Sequence, residues 1–162
     1  MPQWPGSSFS TKYKLYGDMV FKIAMVHLGN KDDAEEIMQE VFYKLLFKSP
    51  TFNNDGHEKA WLIKVTVNLC RDTLRSVWHK RVIKMEEVDY YYDDPADFNI
   101  LKEIINLPMK YKSVIYLYYF EDYSIKEIAQ ILSCKESAIK MRLQRGRQLL
   151  KIELEGNENE QL

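Results

Sequence analysis

Ten residues, VDYYYDDPAD from Val88 to Asp97, decide how this chain can be built. On both sides of them apolar residues recur at three- and four-residue spacing, the period of an amphipathic helix. Inside the stretch that period stops, replaced by acidic and aromatic residues around Pro95. Such a segment reads as a linker, so the 162 residues should form two small helical bodies in place of one core. The expected fold is all-α, with a first domain over residues 1–81, an acidic linker over 82–97, a second domain over 98–154 and an acidic tail over 155–162.

Local signals set the expected helices. An apolar pattern from Tyr13 to Leu28 stops at Gly29-Asn30, a C-cap followed by a turn. Asp32 then opens a capping box with Glu35. Ile37, Val41 and Leu45 continue one face, widened by Met38, Phe42 and Leu46. This helix ends near Ser49-Pro50, because proline cannot continue the hydrogen-bond ladder. PTFNNDG is a loop by composition, and the next helix runs from Ala60 to about Lys80 with Leu62, Val65 and Leu69 inward. Helices resume near Phe98 and are interrupted by Pro108. The apolar run Tyr111–Phe120 is read as helix from its neighbours.

Several function classes are disfavoured. No apolar run reaches membrane length and no signal-peptide core is present, so a cytosolic chain with no membrane insertion is expected. Cys70 and Cys134 form no CxxC pair and read as reduced, buried or half-buried thiols. His27, His57 and His79 lack metal-ligand spacing. There is no Gly-rich phosphate loop, HExxH or Ser/His/Asp set. No catalytic residue, metal or cofactor is expected.

The net charge of −1 conceals a sharp segregation. Lys59–Arg81 holds six basic residues against Asp72 alone, and Lys135–Lys151 holds six against Glu136 alone. The acidic linker and Glu153, Glu155, Glu158 and Glu160 cancel them in the sum. A polyanion responds to the local field, so the two basic helices matter more than the total.

In SIKEIAQILSCKESAIKMRLQRGRQLL, Ser124–Leu150, an S-x-x-E capping box (Ser124, Glu127) starts one helix, and a turn at Ser133-Cys134 leads into a second near Glu136. Ile139, Leu143, Gly146 and Leu150 share one face of that second helix. Ser137, Met141, Gln144 and Gln148 share the opposite face, flanked by Lys140 and Arg147 on one side and Arg145 on the other. With the small Ala129 at the crossing, this describes a helix-turn-helix whose outer face enters the major groove. Arg and Lys would contact phosphates, and Gln144 and Ser137 base edges. Met141 is apolar there, which suits a thymine methyl or a sugar. A solvated basic hairpin would share the charge but not the turn position or the polar outer face.

The earlier basic helix carries Lys64, Asn68, Arg71 and Arg75 in one stripe, with Trp61 and Trp78 near its ends. That pattern fits single-stranded or opening nucleic acid, although Trp61, beside Leu62, reads first as core. On the preceding helix Asp32, Glu35, Glu36, Gln39 and Glu40 form an acidic side that by itself reads as solvated surface.

These three pieces, in this order, resemble an extracytoplasmic-function sigma factor of the sigma-70 family. DAEEIMQEVFYKLL (Asp33–Leu46) resembles the polymerase-binding helix, AWLIKVTVNLCRDTLR (Ala60–Arg75) the promoter-melting helix, and Leu107–Leu150 the second domain. The resemblance implies two helical domains that bind core RNA polymerase and direct it to promoter DNA in a bacterial cytoplasm, and an anti-sigma factor that masks them. It implies that Asp33, Glu36, Gln39 and Glu40 engage the basic coiled coil of the polymerase clamp. Lys64, Asn68, Arg71, Asp72 and Arg75 would meet the minus-ten element, with Thr51–Glu58 holding a flipped base. Ser137, Lys140, Met141, Gln144 and Arg145 would read the minus-thirty-five element. Ser133 stands where the family often has a turn glycine, at a position that can require positive φ. A stand-alone helix-turn-helix regulator is the alternative; it explains Ser124–Leu150 but neither the basic stripe nor the acidic side.

Overall fold

Gly29, with φ of 80°, turns the chain out of its first helix, and the next residue already caps the second. In this computed structural model the described residues are 5–76, 84, 86, 87 and 101–161, with side chains over 9–76, 84, 86, 87 and 101–150. Trp78, His79 and most of the expected acidic linker lie outside the described residues. The chain divides into two compact units, Met1–Tyr91 and Tyr92–Leu162.

The first unit contains α1 (Pro5–Leu28), α2 (Lys31–Lys48) and α3 (Asp55–Arg75), each packed against the other two. The C-terminal half of α1 is buried nearly all round, with Val20, Ile23, Ala24, Met25, Val26 and Leu28 fully enclosed. Ile37, Val41, Phe42 and Leu45 of α2 close over it as the apolar spacing predicts, with Met38 and Leu46 half-buried at the margin. Phe42 meets Tyr13 at 5.0 Å between ring centroids and Phe9 edge-on at 6.0 Å.

Three expectations need correction here. The N-cap of α2 is Asn30, not Asp32: Asn30 Oδ1 accepts the Asp33 N–H at 2.9 Å, and Asn30 Nδ2 donates to Asp33 Oδ2 at 2.8 Å. Gly29 ends α1 so abruptly that the extended Asn30 is already in cap position, which leaves Asp32 and Asp33 in the first turn, where acids suit the helix dipole. Helix α3 begins at Asp55 in place of Ala60, because Asn54 Oδ1 accepts the His57 N–H at 2.8 Å. Its buried face is Leu62, Ile63, Thr66, Val67 and Cys70, with Val65 and Leu69 only half-buried. Thr66 fits that face because its hydroxyl donates to the Leu62 carbonyl at 2.6 Å.

Residues from the start of the expected linker are tied to this unit. The Lys84 N–H donates to the Gly29 carbonyl at 2.7 Å, and the Lys31 N–H donates to Glu87 Oε2 at 2.7 Å.

In the second unit, helical residues 101–104 precede α4 (Met109–Tyr119), α5 (Ile125–Leu132) and α6 (Glu136–Gln161). Pro108 stands at the N-cap of α4, and Lys112 is fully buried with its ammonium donating to the Ile105 carbonyl at 3.0 Å. Ile139, Leu143 and Leu150 of α6 are buried, together with Gly146 between them, and Ile128, Ala129 and Ile131 of α5 face them. The tail expected over 155–162 continues α6 as helix to Gln161. Among the described residues no strand occurs.

Candidate functional site

The turn between α5 and α6 is built from local chemistry. Ser124 Oγ accepts the Glu127 N–H and Glu127 Oε1 accepts the Ser124 N–H, each at 3.1 Å. The bond from the Ser124 N–H holds the Glu127 carboxyl below its ordinary range, and the Ser124 hydroxyl beside that carboxyl adds to this. At the other end of α5, Ser133 adopts left-handed backbone at φ 55° and ψ 46°, the conformation for which the missing glycine is the usual choice. Cys134 then returns its N–H to the Ala129 carbonyl at 2.9 Å.

Beyond that turn, Ser137, Lys140, Met141, Gln144 and Arg145 are all exposed on the outer side of α6. Arg145 reaches Gln148 Oε1 at 3.3 Å along the same helix. Arg147, on the flank of that face in the sequence reading, turns instead to α4: its Nε donates to the Tyr119 hydroxyl at 2.7 Å, and its guanidinium lies 5.4 Å from the Tyr118 ring centroid. The Tyr119 bond raises the already high pKa of Arg147, so it remains a fixed cation bracing two helices. Lys110 and Tyr111 at the start of α4 border the same recess as Met141 and Arg145. Nothing in the sequence flagged them, because their proximity depends on how α4 crosses α6.

On α3, Lys64 and Asn68 are half-buried and Arg71, Asp72 and Arg75 exposed. Arg71 Nε lies 3.8 Å from Asp72 Oδ1, a loose and solvated pair. Trp61 is half-buried and meets Phe52 edge-on at 5.6 Å, so it closes the loop before α3 as well as lining the core.

The loop expected over Thr51–Glu58 is shorter, since Asp55–Glu58 forms the first turn of α3. Glu58 is buried and paired with Lys12 at 2.6 Å, while the Lys12 ammonium sits 5.9 Å from the Phe52 ring centroid. Lys12 is thus a residue that sequence reasoning missed, its partner being 46 positions away. Tyr16 packs nearby, and burial, followed by the charges of Glu58 and Asp55, lifts its phenol above the ordinary value.

On α2, Glu36, Gln39 and Glu40 are exposed. Asp33 is half-buried and holds Asn30, so its carboxylate also serves the helix cap. Among the described residues no group of three or more His, Cys, Asp or Glu is gathered for a metal ion, and no helix is long and apolar enough to cross a membrane.

Residues 13–80 match the family described as Sigma-70 region 2, and residues 97–150 the one described as Sigma-70, region 4. RNA polymerase sigma factor SigV of Bacillus subtilis (strain 168) is 32% identical over 138 residues, covering 83% of each chain. The chain belongs to the extracytoplasmic-function sigma factors of the sigma-70 family. This sigma factor is also 27% identical to ECF RNA polymerase sigma factor SigW of the same organism, over 91% of this chain and 89% of that one. Two solved structures share its fold at a TM-score of 0.70. One is CnrH in complex with the cytosolic domain of CnrY, 19% identical, over 93% of this chain and 90% of that one. The other is the sigma factor RpoE in complex with the anti-sigma factor NepR from Bartonella quintana, 22% identical, over 91% and 97%. As a sigma factor the protein binds core RNA polymerase and directs promoter-specific transcription initiation. The region 2 match over residues 13–80 disfavours a stand-alone helix-turn-helix regulator, which has no use for that unit.

Proposed function

We propose that three helix faces divide the work of initiation. The exposed side of α2, Glu36, Gln39 and Glu40 with Asp33 at its N-terminal end, docks on the basic coiled coil of the polymerase clamp. Lys64, Asn68, Arg71, Asp72 and Arg75 of α3 meet the minus-ten element as it opens, the cations tracking phosphates. The loop from Thr51 to Asn54, braced by Lys12 and Glu58, holds a flipped base. Ser137, Lys140, Met141, Gln144 and Arg145 of α6 read the minus-thirty-five element in the major groove. The observation that carries this reading is the outer side of α6, where five residues of that set are exposed behind a capped helix-turn-helix.

The division into a minus-ten domain over residues 1–81 and a minus-thirty-five domain over 98–154 supplies the mechanism. Each reader makes too few contacts to be selective alone, and tethering both to one polymerase makes the second contact effectively intramolecular. The acidic segment between them follows the RNA-exit path, where its charge imitates nucleic acid. The protein works in the bacterial cytoplasm, and an anti-sigma factor masks it until a signal arrives. That last element draws support from the sigma–anti-sigma pairing named for the RpoE structure.

Run-off transcription with purified core polymerase and a randomised promoter library tests the assignment. Wild type should select a two-part promoter. Glu40→Lys should abolish core binding, whereas Lys140→Ala with Arg145→Ala should keep core binding and lose only the upstream element. A double variant that still selects the same upstream element would overturn the role given to α6.

A further inference from the structure

Met141 is the one residue of the proposed upstream-element set that cannot form a strong hydrogen bond, yet its side chain is 70% exposed. Its position on α6 is central. Ser137, Met141, Gln144 and Gln148 follow one another at steps of four, three and four and all are exposed, while Lys140 and Arg145 stand to either side. In a helix laid into the major groove, the central line reaches the base edges and the flanking cations reach the phosphates. A sugar contact would belong to the flank. The centre therefore leaves Met141 facing a base.

Its surroundings are matched to an apolar target. Met141 and Ala138 line a recess of about 400 Å³ together with Tyr111, and Lys110, Arg142 and Arg145 border it with positive charge. Lys110 is held with its ammonium 5.0 Å from the Tyr111 ring centroid, and Arg142 donates to Cys134 Sγ at 3.4 Å. In the major groove the apolar group that projects from a base pair edge is the C5 methyl of thymine, against which the C5–H of cytosine offers much less contact. Opposite any other edge, a thioether would cover a base donor or acceptor and give it no partner.

We propose that Met141, with Ala138 beside it, reads the methyl group of one thymine in the upstream promoter element. This rests on the assignment of α6 to that element. It adds a specificity rule that the polar residues of the face do not contain: one position should discriminate thymine from uracil.

The experiment uses the full-length protein with core polymerase and the duplex selected from the randomised library. Each thymine of the upstream element, on either strand, is replaced singly by 2′-deoxyuridine, which deletes only the methyl. In parallel, each base pair there is exchanged by transversion. Wild type should lose about four-fold in promoter affinity at one deoxyuridine position, the change expected when the burial of one methyl-sized group is lost. Met141→Ala should bind both duplexes alike at that position; its exposed site makes misfolding no concern, and its melting curve verifies this.

If transversions impair binding but deoxyuridine never does, the methyl reading fails while α6 keeps its role. A deoxyuridine effect that persists in Met141→Ala assigns the methyl to another residue and overturns the proposal. So does a selected element with no thymine on either strand. If neither exchange matters, the α6 assignment itself has failed and the proposal with it.

Discussion

Gly146 lies directly against Ile115: a Cβ built on the glycine would stand 2.9 Å from Ile115 Cγ1 and 3.0 Å from its Cδ1. Ile115 is 1% exposed, so it is enclosed by the rest of the unit's core. The absence of a side chain at one position of α6 therefore sets how closely α6 approaches α4. Gly146→Ala should destabilise the second unit by about 1–2 kcal/mol, since overpacking costs about 1–3 kcal/mol and the better helix former returns up to about 1 kcal/mol. Urea midpoints measure this. Ile115→Ala should cost less in the Gly146→Ala background than in wild type, because the two side chains compete for one space. Equal costs in both backgrounds would remove the close approach as the cause.

Ser133 bears a backbone conformation that favours glycine. Left-handed backbone costs an L-residue about 1–2 kcal/mol, and a new glycine costs about 0.5–1 kcal/mol in unfolded-state entropy. Ser133→Gly should raise stability by about 0.5–1 kcal/mol and leave promoter choice unchanged. A lower melting temperature would contradict this.

The capping box at the start of α5 makes stability depend on pH in one direction. The Glu127 carboxyl is held below its ordinary range by the Ser124 N–H and then the Ser124 side chain. A depressed carboxylate stabilises the fold fully above its unfolded pKa and ceases to do so as pH falls through its folded pKa. The melting-temperature gap between wild type and Glu127→Ala should be full at neutral pH. It should narrow through the acid range and close once Glu127 is protonated in the fold. A gap unchanged by acid would show that the charge plays no part.

Lys12 and Glu58 predict a separable defect. Glu58 is buried, so Lys12→Met leaves its carboxylate without that cation and should lower stability by about 1–3 kcal/mol. Glu58→Gln in the same background should restore part of the loss by removing the stranded charge. Promoter opening should suffer more than core binding, because the pair braces the loop and not the exposed side of α2. Abortive-initiation assays beside a core-binding titration distinguish the two.

For α3, the phosphate role predicts a salt signature. Arg71→Ala and Arg75→Ala should each reduce the slope of log affinity against log salt by about 0.7–1, with little change in stability since both side chains are exposed. Holoenzyme binding across a salt series measures this, and unchanged slopes would place the DNA elsewhere.

Local chemistry made much of this protein legible. The Ser124–Glu127 box, the turn at Ser133, the stop at Ser49-Pro50 and the α6 pair of faces each depend on residues within a few positions of one another, and the structure contains all of them. The start of α2 was misread because Asn30 and Asp32 are both competent caps. Gly29 decides between them: its positive φ turns the chain so that Asn30, two residues before Asp32, already stands extended in cap position. The inward face of α3 was misread for a similar reason. Thr66 is polar in sequence, and only its bond to the Leu62 carbonyl makes it a core residue.

The sequence by itself determined two helical bodies, the Ser124–Glu127 cap, the stop at Ser49-Pro50 and the segregation of charge onto α2, α3 and α6, because period and capping are properties of neighbouring residues. Tertiary structure alone decided which distant residues meet. Lys12 reaches Glu58, Arg147 leaves the outer side for Tyr118 and Tyr119, and Lys110 and Tyr111 come beside Met141. Those meetings depend on the angle and distance at which helices cross. These in turn are set by side-chain volume at the contact, as at Gly146, which no pattern along the chain specifies.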